Sequence, residues 1–222
     1  MIDFLNILDD FLSNLILLIK MRSKKELAVT LSKLLVFEKA SLRLEQYPTD
    51  SEVAAEILWW ADQAGEIENK EVADLGCGTG ILGIGALLMG AKFVHFVDVD
   101  KYALKRLKEN LQLFEIDNYE IYEMDVSQFN KKVDIVIQNP PFGTKTEHAD
   151  KLFLESAFKV TDMIYSFHKT NTDKFVTAIA KDHGFKVSHF FKFNFPIKQT
   201  QEFHKVKIKR IDVGCWRIEK VN

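Results

Sequence analysis

The stretch VADLGCGTGILGIGALLMG, residues 72–90, predicts the fold of this chain. It begins as a short apolar run typical of a buried strand and continues, after a glycine-rich turn, as an apolar run long enough for a helix. Glycines 76, 78 and 80 lie in the turn. Because glycine has no Cβ, such a turn lets the backbone approach a ligand closely. We therefore expect a strand, a ligand-binding turn and a helix in that order.

The G-x-G-x-G spacing of this turn differs from both common nucleotide loops, G-x-G-x-x-G and G-x-x-x-x-G-K. No Lys-Ser or Lys-Thr pair follows Gly80, so the usual phosphate and magnesium ligands are missing. Asp98 ends the next predicted strand, 24 residues after Asp74, where a carboxylate can accept both hydroxyls of a ribose. The pattern therefore indicates a nucleoside with a cationic or zwitterionic tail.

Strands and helices alternate after this turn. The predicted strands are FVHFVDVD, YEIYEMD, VDIVIQN and MIYSFHK, and the predicted helices between them are KYALKRLKENLQLF, ADKLFLESAFKVT and TDKFVTAIAKDHG. FKVSHFFKFNF and HKVKIKRIDVGCWRIEKV close the chain as a hairpin. Continuous apolar strands alternating with helices predict an open α/β sandwich, with a parallel sheet covered on both faces. The terminal hairpin adds an antiparallel pair.

Two helices are predicted before the turn. Leucines at helical spacing predict the first over residues 24–43. Pro48 ends that pattern, and Thr49 or Asp50 can cap a second helix, SEVAAEILWWADQAG, which stops at Gly65.

Composition indicates a folded protein with a reduced interior. The chain has 222 residues, of which 47% are hydrophobic and 28% charged. Cys77 and Cys215 form no CxxC pair and no Cys/His cluster, so we expect neither a disulfide framework nor a metal site. A cytoplasmic location follows from the same observation.

Charge is distributed unevenly along the chain. Residues 135–222 carry fifteen Lys and Arg against nine Asp and Glu, whereas the whole chain has a net charge of −2. A basic C-terminal third suits a polyanionic partner. An ordinary solvated face explains the charge alone equally well.

The first twenty residues, MIDFLNILDDFLSNLILLIK, are apolar but interrupted by aspartates. They lack the features of a signal peptide and are too short and too charged for a membrane span. They form either an amphipathic helix or an extension upstream of a natural start at Met21, and we favour the second.

A second informative stretch is DIVIQNPPFGTK, residues 134–145, where an apolar strand stops at Asn139-Pro140-Pro141-Phe142. The Asn139 side-chain oxygen and the Pro140 carbonyl can each accept one N–H of a planar NH₂ group. Holding both hydrogens turns the nitrogen lone pair toward an electrophile and stabilises developing positive charge. Phe142 offers a face on which an unstacked base can rest. The alternative is a proline-rich strand terminator with a core phenylalanine.

Both stretches resemble known methyltransferases. DLGCGTG (74–80) with Asp98 resembles the Rossmann-like S-adenosylmethionine-dependent methyltransferases, and NPPF resembles amino-methyltransferases of adenine N6, cytosine N4, guanine N2 or glutamine amides. LEQYPTD (44–50), ENKEVADLGCGTGILGIGALLMGA (68–91), QNPPFGTK (138–145) and IYSFHK (164–169) together resemble the ribosomal-RNA adenine-N6 methyltransferases of the methyltransferase-like class, which have archaeal relatives. The resemblance runs from about residue 21 to the end.

The resemblance implies a class I methyltransferase fold with a mostly parallel seven-stranded sheet and helices on both faces. It implies three parts: an N-terminal extension (1–20), N-terminal helices and a cofactor-covering segment (21–66), and the methyltransferase domain (67–222). The expected reaction is methyl transfer from S-adenosylmethionine to adenine N6 in small-subunit ribosomal RNA.

The resemblance also implies the site. The expected cofactor residues are Asp74, Gly76 and Gly78 at the methionine end, Asp98 at the ribose, Asp125 and Val126 at the adenine, and Gln46, Tyr47 and Thr49 folding over the cofactor. Asn139, Pro140, Pro141 and Phe142 form the pocket for the target adenine, with Asn139 beside the methyl donor. Lys145 and Thr146 contact the RNA backbone or lie in a solvated loop, and His168 is expected to be a core or strand-end histidine.

Eukaryotic members work with a small zinc-binding activator subunit, for which the apolar N-terminal helix and the region around Tyr119–Met124 are suited. Two other functions remain open. One is a glutamine-amide methyltransferase acting on protein, and the other is a non-catalytic scaffold that binds RNA. A cytosine or guanine target also remains open, because the acceptor pair recognises an NH₂ group and not a particular ring.

Overall fold

The computed structural model describes residues 21, 23–37, 49–141, 149–197 and 209–221, with 194–197 and 209–211 described as backbone. The predicted extension over residues 1–20 lies outside this range. The described helices are α1 (Lys24–Leu31), α2 (Ser51–Gln63), α3 (Ile81–Leu88), α4 (Lys101–Gln112), α5 (Ala149–Val160) and α6 (Asp173–Asp182). The strands are β1 (Glu71–Leu75), β2 (Phe93–Asp98), β3 (Tyr119–Glu123), β4 (Ile135–Gln138), β5 (Met163–Lys169), β6 (Phe185–Ile197) and β7 (Lys209–Lys220). None of these helices is long and apolar enough to cross a membrane.

The strands form one sheet in the order β3-β2-β1-β4-β5-β7-β6. β1 to β5 are parallel, and β7 lies antiparallel between β5 and β6, which confirms the predicted sheet and its terminal hairpin. Strand order reverses between β1 and β4, where open α/β sheets bind ligands. Leu75 pairs with Val97 on one side and Gln138 on the other. The residues that follow these three positions therefore meet at one edge of the sheet.

Both faces of the sheet are buried, because residues alternate between the two sides of each strand. One apolar cluster joins α1, α2, α3 and α4 to one face and includes Val72 and Ile137. The other joins α5 and α6 to the opposite face and includes Ala73 and Val136. Continuous apolar strands such as Ile135-Val136-Ile137 follow from this double burial.

The prediction of a helix over 24–43 was wrong between residues 32 and 37, because α1 ends at Leu31. After Leu31 the backbone tightens, with the N–H of Leu34 donating to the Leu31 carbonyl at 3.2 Å, and Asn110 of α4 then holds Leu35. The Asn110 Oδ1 accepts a hydrogen bond from the Leu35 N–H at 2.8 Å, and its Nδ2 donates to the Leu35 carbonyl at 3.0 Å. These two bonds replace the backbone bonds that Leu35 would make in a helix. Residues 38–43 lie outside the described residues.

The boundaries of α2 were predicted correctly. The Asp50 side chain accepts from the N–H groups of Glu52 at 2.9 Å and Val53 at 3.3 Å, so Asp50 is the N-cap. Gly65 follows the helix with φ of 74°, the left-handed conformation typical of a helix end. Since Asp50 supplies the cap, the hydroxyl of Thr49 is left for another contact.

Candidate active site

The glycine loop lies between β1 and α3. Gly76, Gly78 and Gly80 have φ of 69°, 53° and 91°, a region that residues with a Cβ rarely adopt. A Cβ on Gly76 would lie 2.6 Å from the ring of Phe153, and one on Gly78 would lie 2.9 Å from the ring of Phe37. Both conformation and space therefore require glycine here, and Gly76 and Gly78 are half-buried at the edge of the sheet.

Asp98 orders this loop. Its Oδ2 accepts from the Gly78 N–H and its Oδ1 from the Asp100 N–H, both at 2.8 Å. Burial raises the pKa of Asp98, although the backbone N–H donors oppose the shift. Each carboxylate oxygen has a second lone pair, so the two oxygens can still accept the hydroxyls of a ribose.

Asp74 is the last residue but one of β1 and is 1% exposed. Its Oδ2 accepts from the Gly83 N–H in the first turn of α3 at 2.8 Å. Burial raises the pKa of Asp74 to about 7, and the charge of Asp98 adds to the shift. Neither carboxylate forms a salt bridge with any residue of the described ranges. Two buried acidic groups in this position favour a cationic ligand.

Asp125 and Val126 follow β3 at the same edge. Asp125 is exposed, and its Oδ1 accepts from the Ser127 N–H at 2.9 Å and from its hydroxyl at 2.5 Å. Val126 begins a short 3₁₀ turn and is buried. The topology therefore brings both residues to the edge where the sequence predicts them, and contact with an adenine ring stays a prediction.

Asn139 follows β4 at the centre of this edge. Its Nδ2 donates to the Thr49 hydroxyl at 2.9 Å. Its Oδ1 is buried and accepts no hydrogen bond from any residue in the described part of the chain. An unpaired buried acceptor costs roughly 1–3 kcal/mol, so its retention requires an explanation. The predicted chemistry supplies one, because it needs a free amide oxygen at this position.

A chain of buried polar groups lies beside Asn139 on the opposite face of the sheet. Gln138 Nε2 donates to Ser166 Oγ at 2.9 Å, and Ser166 Oγ lies 2.7 Å from His168 Nε2. The Ser166 hydroxyl can donate to Nε2 or accept from it, and burial keeps His168 in the neutral form, in which one of the two ring nitrogens carries a proton. Burial lowers the pKa of His168 to about 3. These side-chain hydrogen bonds join β4 to β5 close to Pro140, which has no N–H to donate to a neighbouring strand.

His168 should make the protein less stable in acid. Its pKa is about 3 in the folded chain and 6.5 without burial, so below pH 6.5 the unfolded chain binds a proton that the folded chain does not. Relative to a His168→Gln variant, the free energy of unfolding should fall by up to about 1.4 kcal/mol per pH unit below 6.5. Urea unfolding of both proteins between pH 4 and 7.5 measures this difference.

The comparison with the variant is needed because Asp74 acts in the opposite direction. Its raised pKa makes the folded chain bind a proton that the unfolded chain releases, which stabilises the fold as pH falls toward 4. Both proteins contain Asp74, so its contribution cancels when the free energy of unfolding of His168→Gln is subtracted from that of wild type at each pH. If the difference between wild type and His168→Gln does not change with pH, His168 is not buried as a neutral imidazole.

Three residues of the site were missed by the sequence analysis. Phe153 and Phe37 pack over the glycine loop, and no sequence signal separates them from other core aromatics. Asn110 is fully buried and donates to the Thr79 carbonyl at 2.9 Å as well as to Leu35. The sequence pattern could have identified Asn110, because it is a polar residue on the apolar face of a helix.

The structure brings most of the predicted site together. Thr49, Asp74, Gly76, Gly78, Asp98, Asn139 and Pro140 lie at the carboxyl edge or contact residues there. His168 is confirmed as a buried histidine at the end of a strand. Gln46, Tyr47, Phe142, Lys145 and Thr146 lie outside the described residues, and their roles stay predictions.

The observed edge fits S-adenosylmethionine. The glycine turn has no Cβ to keep a ligand away from its backbone, two buried carboxylates favour a cation, and a third carboxylate follows β3. Of these groups, Asp74, Gly76 and Gly78 would hold the methionine end and Asp98 the ribose.

Comparisons with known proteins show which family this chain is similar to. The family model named Methyltransferase small domain matches residues 54–161. The chain is 37% identical to the rRNA N6-adenosine-methyltransferase METTL5 of Danio rerio, covering 87% of this chain and 97% of that protein. It is 36% identical to the protein of the same name in Drosophila melanogaster, covering 82% and 90%.

A solved structure supports the same grouping. The crystal structure of PH1948 from Pyrococcus horikoshii is 46% identical and matches with a TM-score of 0.84, covering 91% of this chain and all of that chain. These comparisons confirm the predicted Rossmann-like fold, the methyltransferase class and S-adenosylmethionine as the cofactor. This chain belongs to the family of the rRNA N6-adenosine-methyltransferases that includes METTL5.

Proposed function

We propose that this chain transfers a methyl group from S-adenosylmethionine to the exocyclic N6 of an adenine in RNA, and that its substrate is small-subunit ribosomal RNA. Its relatives carry that activity in their names. The observation that carries the proposal is the buried Asn139 Oδ1, which accepts no hydrogen bond from the described residues. A cytoplasmic location is part of the same proposal.

The reaction needs acceptors more than a general base. The lone pair of an aromatic amine is delocalised into the ring, so the nitrogen is a weak nucleophile. Asn139 Oδ1 and the Pro140 carbonyl each accept one N–H, which draws the nitrogen toward a tetrahedral geometry and directs its lone pair. Bound S-adenosylmethionine supplies an electrophilic methyl group on a sulfonium. The proton leaves after positive charge has developed on the nitrogen, and the two acceptors stabilise that charge.

Pro140 and Pro141 make the acceptors rigid. The pyrrolidine ring fixes φ at each position, and Pro140 is buried at the end of β4. On the other side, the Gln138–Ser166 bond fixes the residue that precedes Asn139. A preorganised pair of acceptors does not reorganise during the reaction, which is the main source of electrostatic catalysis. In this proposal, Phe142 stacks on the flipped base.

Binding of the cofactor should depend on pH through Asp74. A cation bound nearby favours the ionised carboxylate, and the pKa of Asp74 in the free protein is about 7, so binding below pH 7 releases a proton. The affinity for S-adenosylmethionine should therefore rise with pH by up to about tenfold per unit below 7 and level off above it. Calorimetric titrations between pH 5.5 and 8.5 measure this dependence.

Asp74→Asn is the matched control for this dependence, because the amide keeps an acceptor oxygen for the Gly83 N–H while losing the titration. The slope should become shallower in the variant, because the group that releases the proton is gone. An identical slope in wild type and variant would mean that Asp74 does not face the cationic end of the cofactor.

The reaction itself is tested by methyl transfer from radiolabelled S-adenosylmethionine to purified small-subunit ribosomal RNA. The RNA is then digested to nucleosides, and the labelled product is identified by mass. We expect N6-methyladenosine. Labelled N4-methylcytidine or N2-methylguanosine would show that the target base is cytosine or guanine. Label in ribosomal protein instead of RNA would favour the glutamine-amide methyltransferase.

We also propose that β3 binds the small zinc-binding activator that the family resemblance implies. β3 lies at an edge of the sheet, and its half-buried Tyr119, Ile121 and Tyr122 pack only partly against the core. An edge strand offers unpaired backbone groups to a partner. Hydrogen exchange of residues 119–124, with and without the zinc-binding protein of the same organism, tests this. Exchange that the partner does not slow would contradict the proposal.

A further inference from the structure

Thr49 and Asn139 are ninety positions apart in the sequence and joined by a hydrogen bond in the fold. The Asn139 Nδ2 donates to the Thr49 hydroxyl oxygen at 2.9 Å. Thr49 is 7% exposed, so water does not compete freely for this contact. The family resemblance placed Thr49 against the cofactor, whereas the structure places its hydroxyl against the amide that would hold the target nitrogen.

The bond matters because the two ends of an amide are chemically opposite. With Nδ2 bonded to Thr49, the Oδ1 of Asn139 is the free end and can accept an N–H. If the amide were reversed, its NH₂ group would face the NH₂ group of the base, and two donors would meet. A rotation of about 180° at the last side-chain torsion is enough to exchange the two arrangements.

The rest of the fold holds Thr49 in place. It directly precedes Asp50, which caps α2 through two backbone N–H groups. α2 is anchored by its buried face, which includes Ala54 and Leu58. Thr49 therefore lies directly before the capped end of a buried helix, which supports its position.

We propose that Thr49 is a positioning residue whose hydroxyl, as the acceptor for Nδ2, holds the Asn139 amide in the arrangement that keeps Oδ1 available to the target amine. This inference rests on the proposed function and adds to it. Thr49 acts through Asn139 and does not itself touch the reacting atoms. Its predicted role as a cofactor contact is the competing assignment.

The first test compares Thr49→Val, Thr49→Ser and wild type. Valine keeps the shape of threonine and removes the hydroxyl, whereas serine keeps the hydroxyl. We expect kcat to fall about 10- to 100-fold in Thr49→Val, with the Kd for S-adenosylmethionine changed by less than about twofold. Thr49→Ser should restore most of the lost rate. Thr30→Val in α1, away from the sheet edge, is the control for the same chemical change.

A double-mutant cycle identifies the residue through which Thr49 acts. If its effect passes through the Asn139 amide, then Thr49→Val should have almost no further effect on kcat in an Asn139→Ala background. Full additivity of the two substitutions would overturn the proposal. A raised Kd for S-adenosylmethionine with kcat preserved would also overturn it, in favour of a cofactor contact.

A measurement without substrate separates this inference from the proposed function. The side-chain NH₂ signal of Asn139 can be assigned in NMR spectra by its loss in Asn139→Ala, and its hydrogen exchange reports the bond to Thr49. We expect that signal to be protected in wild type and Thr49→Ser and unprotected in Thr49→Val. Equal protection in all three proteins overturns the inference whatever the substrate is. Failure of the wild type to methylate RNA overturns only the proposed function.

Discussion

Replacing Asn139 by alanine should lower turnover by two or more orders of magnitude while the affinity for S-adenosylmethionine stays nearly intact. The substitution removes the amide oxygen that is buried at the edge of the sheet and accepts no hydrogen bond from the described residues. Loss of one preorganised acceptor of developing charge corresponds to about 3 kcal/mol or more in the activation free energy. Single-turnover methyl transfer gives the rate, and calorimetry gives the cofactor affinity.

The matched control is Asn130→Ala, which removes an exposed asparagine from the loop before β4. It should leave both quantities unchanged. Thermal unfolding of Asn139→Ala should show a folded protein, because the deletion also relieves the cost of an unpaired buried oxygen. Equal losses of turnover and cofactor affinity would show that Asn139 is structural, and an unchanged rate would exclude it as an acceptor.

Asp98→Ala should have the reverse effect and weaken cofactor binding first. Hydrogen bonds to a charged group contribute roughly 1.5–3 kcal/mol, so loss of the ribose acceptor should raise Kd about 10- to 100-fold. The structure adds a second cause, because Asp98 also accepts from the Gly78 N–H and orders the glycine loop. Calorimetric Kd values for wild type and variant measure the combined effect.

Asp98→Asn separates the two causes, since its amide oxygen still accepts from Gly78 while its NH₂ group replaces one ribose acceptor. We expect Kd values between those of wild type and Asp98→Ala. Asp117→Ala, at an exposed aspartate beyond α4, should leave Kd unchanged. If Asp98→Ala binds S-adenosylmethionine as tightly as wild type, the assignment of Asp98 to the ribose is wrong.

Much of the secondary structure could be predicted from local sequence patterns. The strand at Glu71–Leu75, the glycine turn and the helix after it were predicted because apolar period and glycine spacing are short-range signals. The strand over Met163–Lys169 and the closing hairpin followed from the same rules. A cap at Thr49 or Asp50 was predicted for the same reason, because a cap bonds to residues two and three positions away, and the structure shows that Asp50 is the cap.

The failures share one physical cause, which is contact between distant segments. α1 was predicted to continue past Leu31, but it ends there, and Leu35 bonds instead to Asn110, which is 75 residues away in the sequence. Helical spacing describes a segment alone, and a buried amide on another helix can override it. Phe37 and Phe153 were missed for the same reason, since they meet the glycine loop only in the folded chain.

The sequence by itself determined the chemical parts of this protein, namely a glycine turn for a nucleoside cofactor, carboxylates at strand ends, and Asn-Pro-Pro for an amine. Those parts depend on residue type and short spacing. Only the tertiary structure decided which end of the Asn139 amide is free, because the bond from its Nδ2 to Thr49 spans ninety residues. The packing of α2 and β4 against one core brings these two side chains within hydrogen-bond distance, and no local pattern encodes that distance.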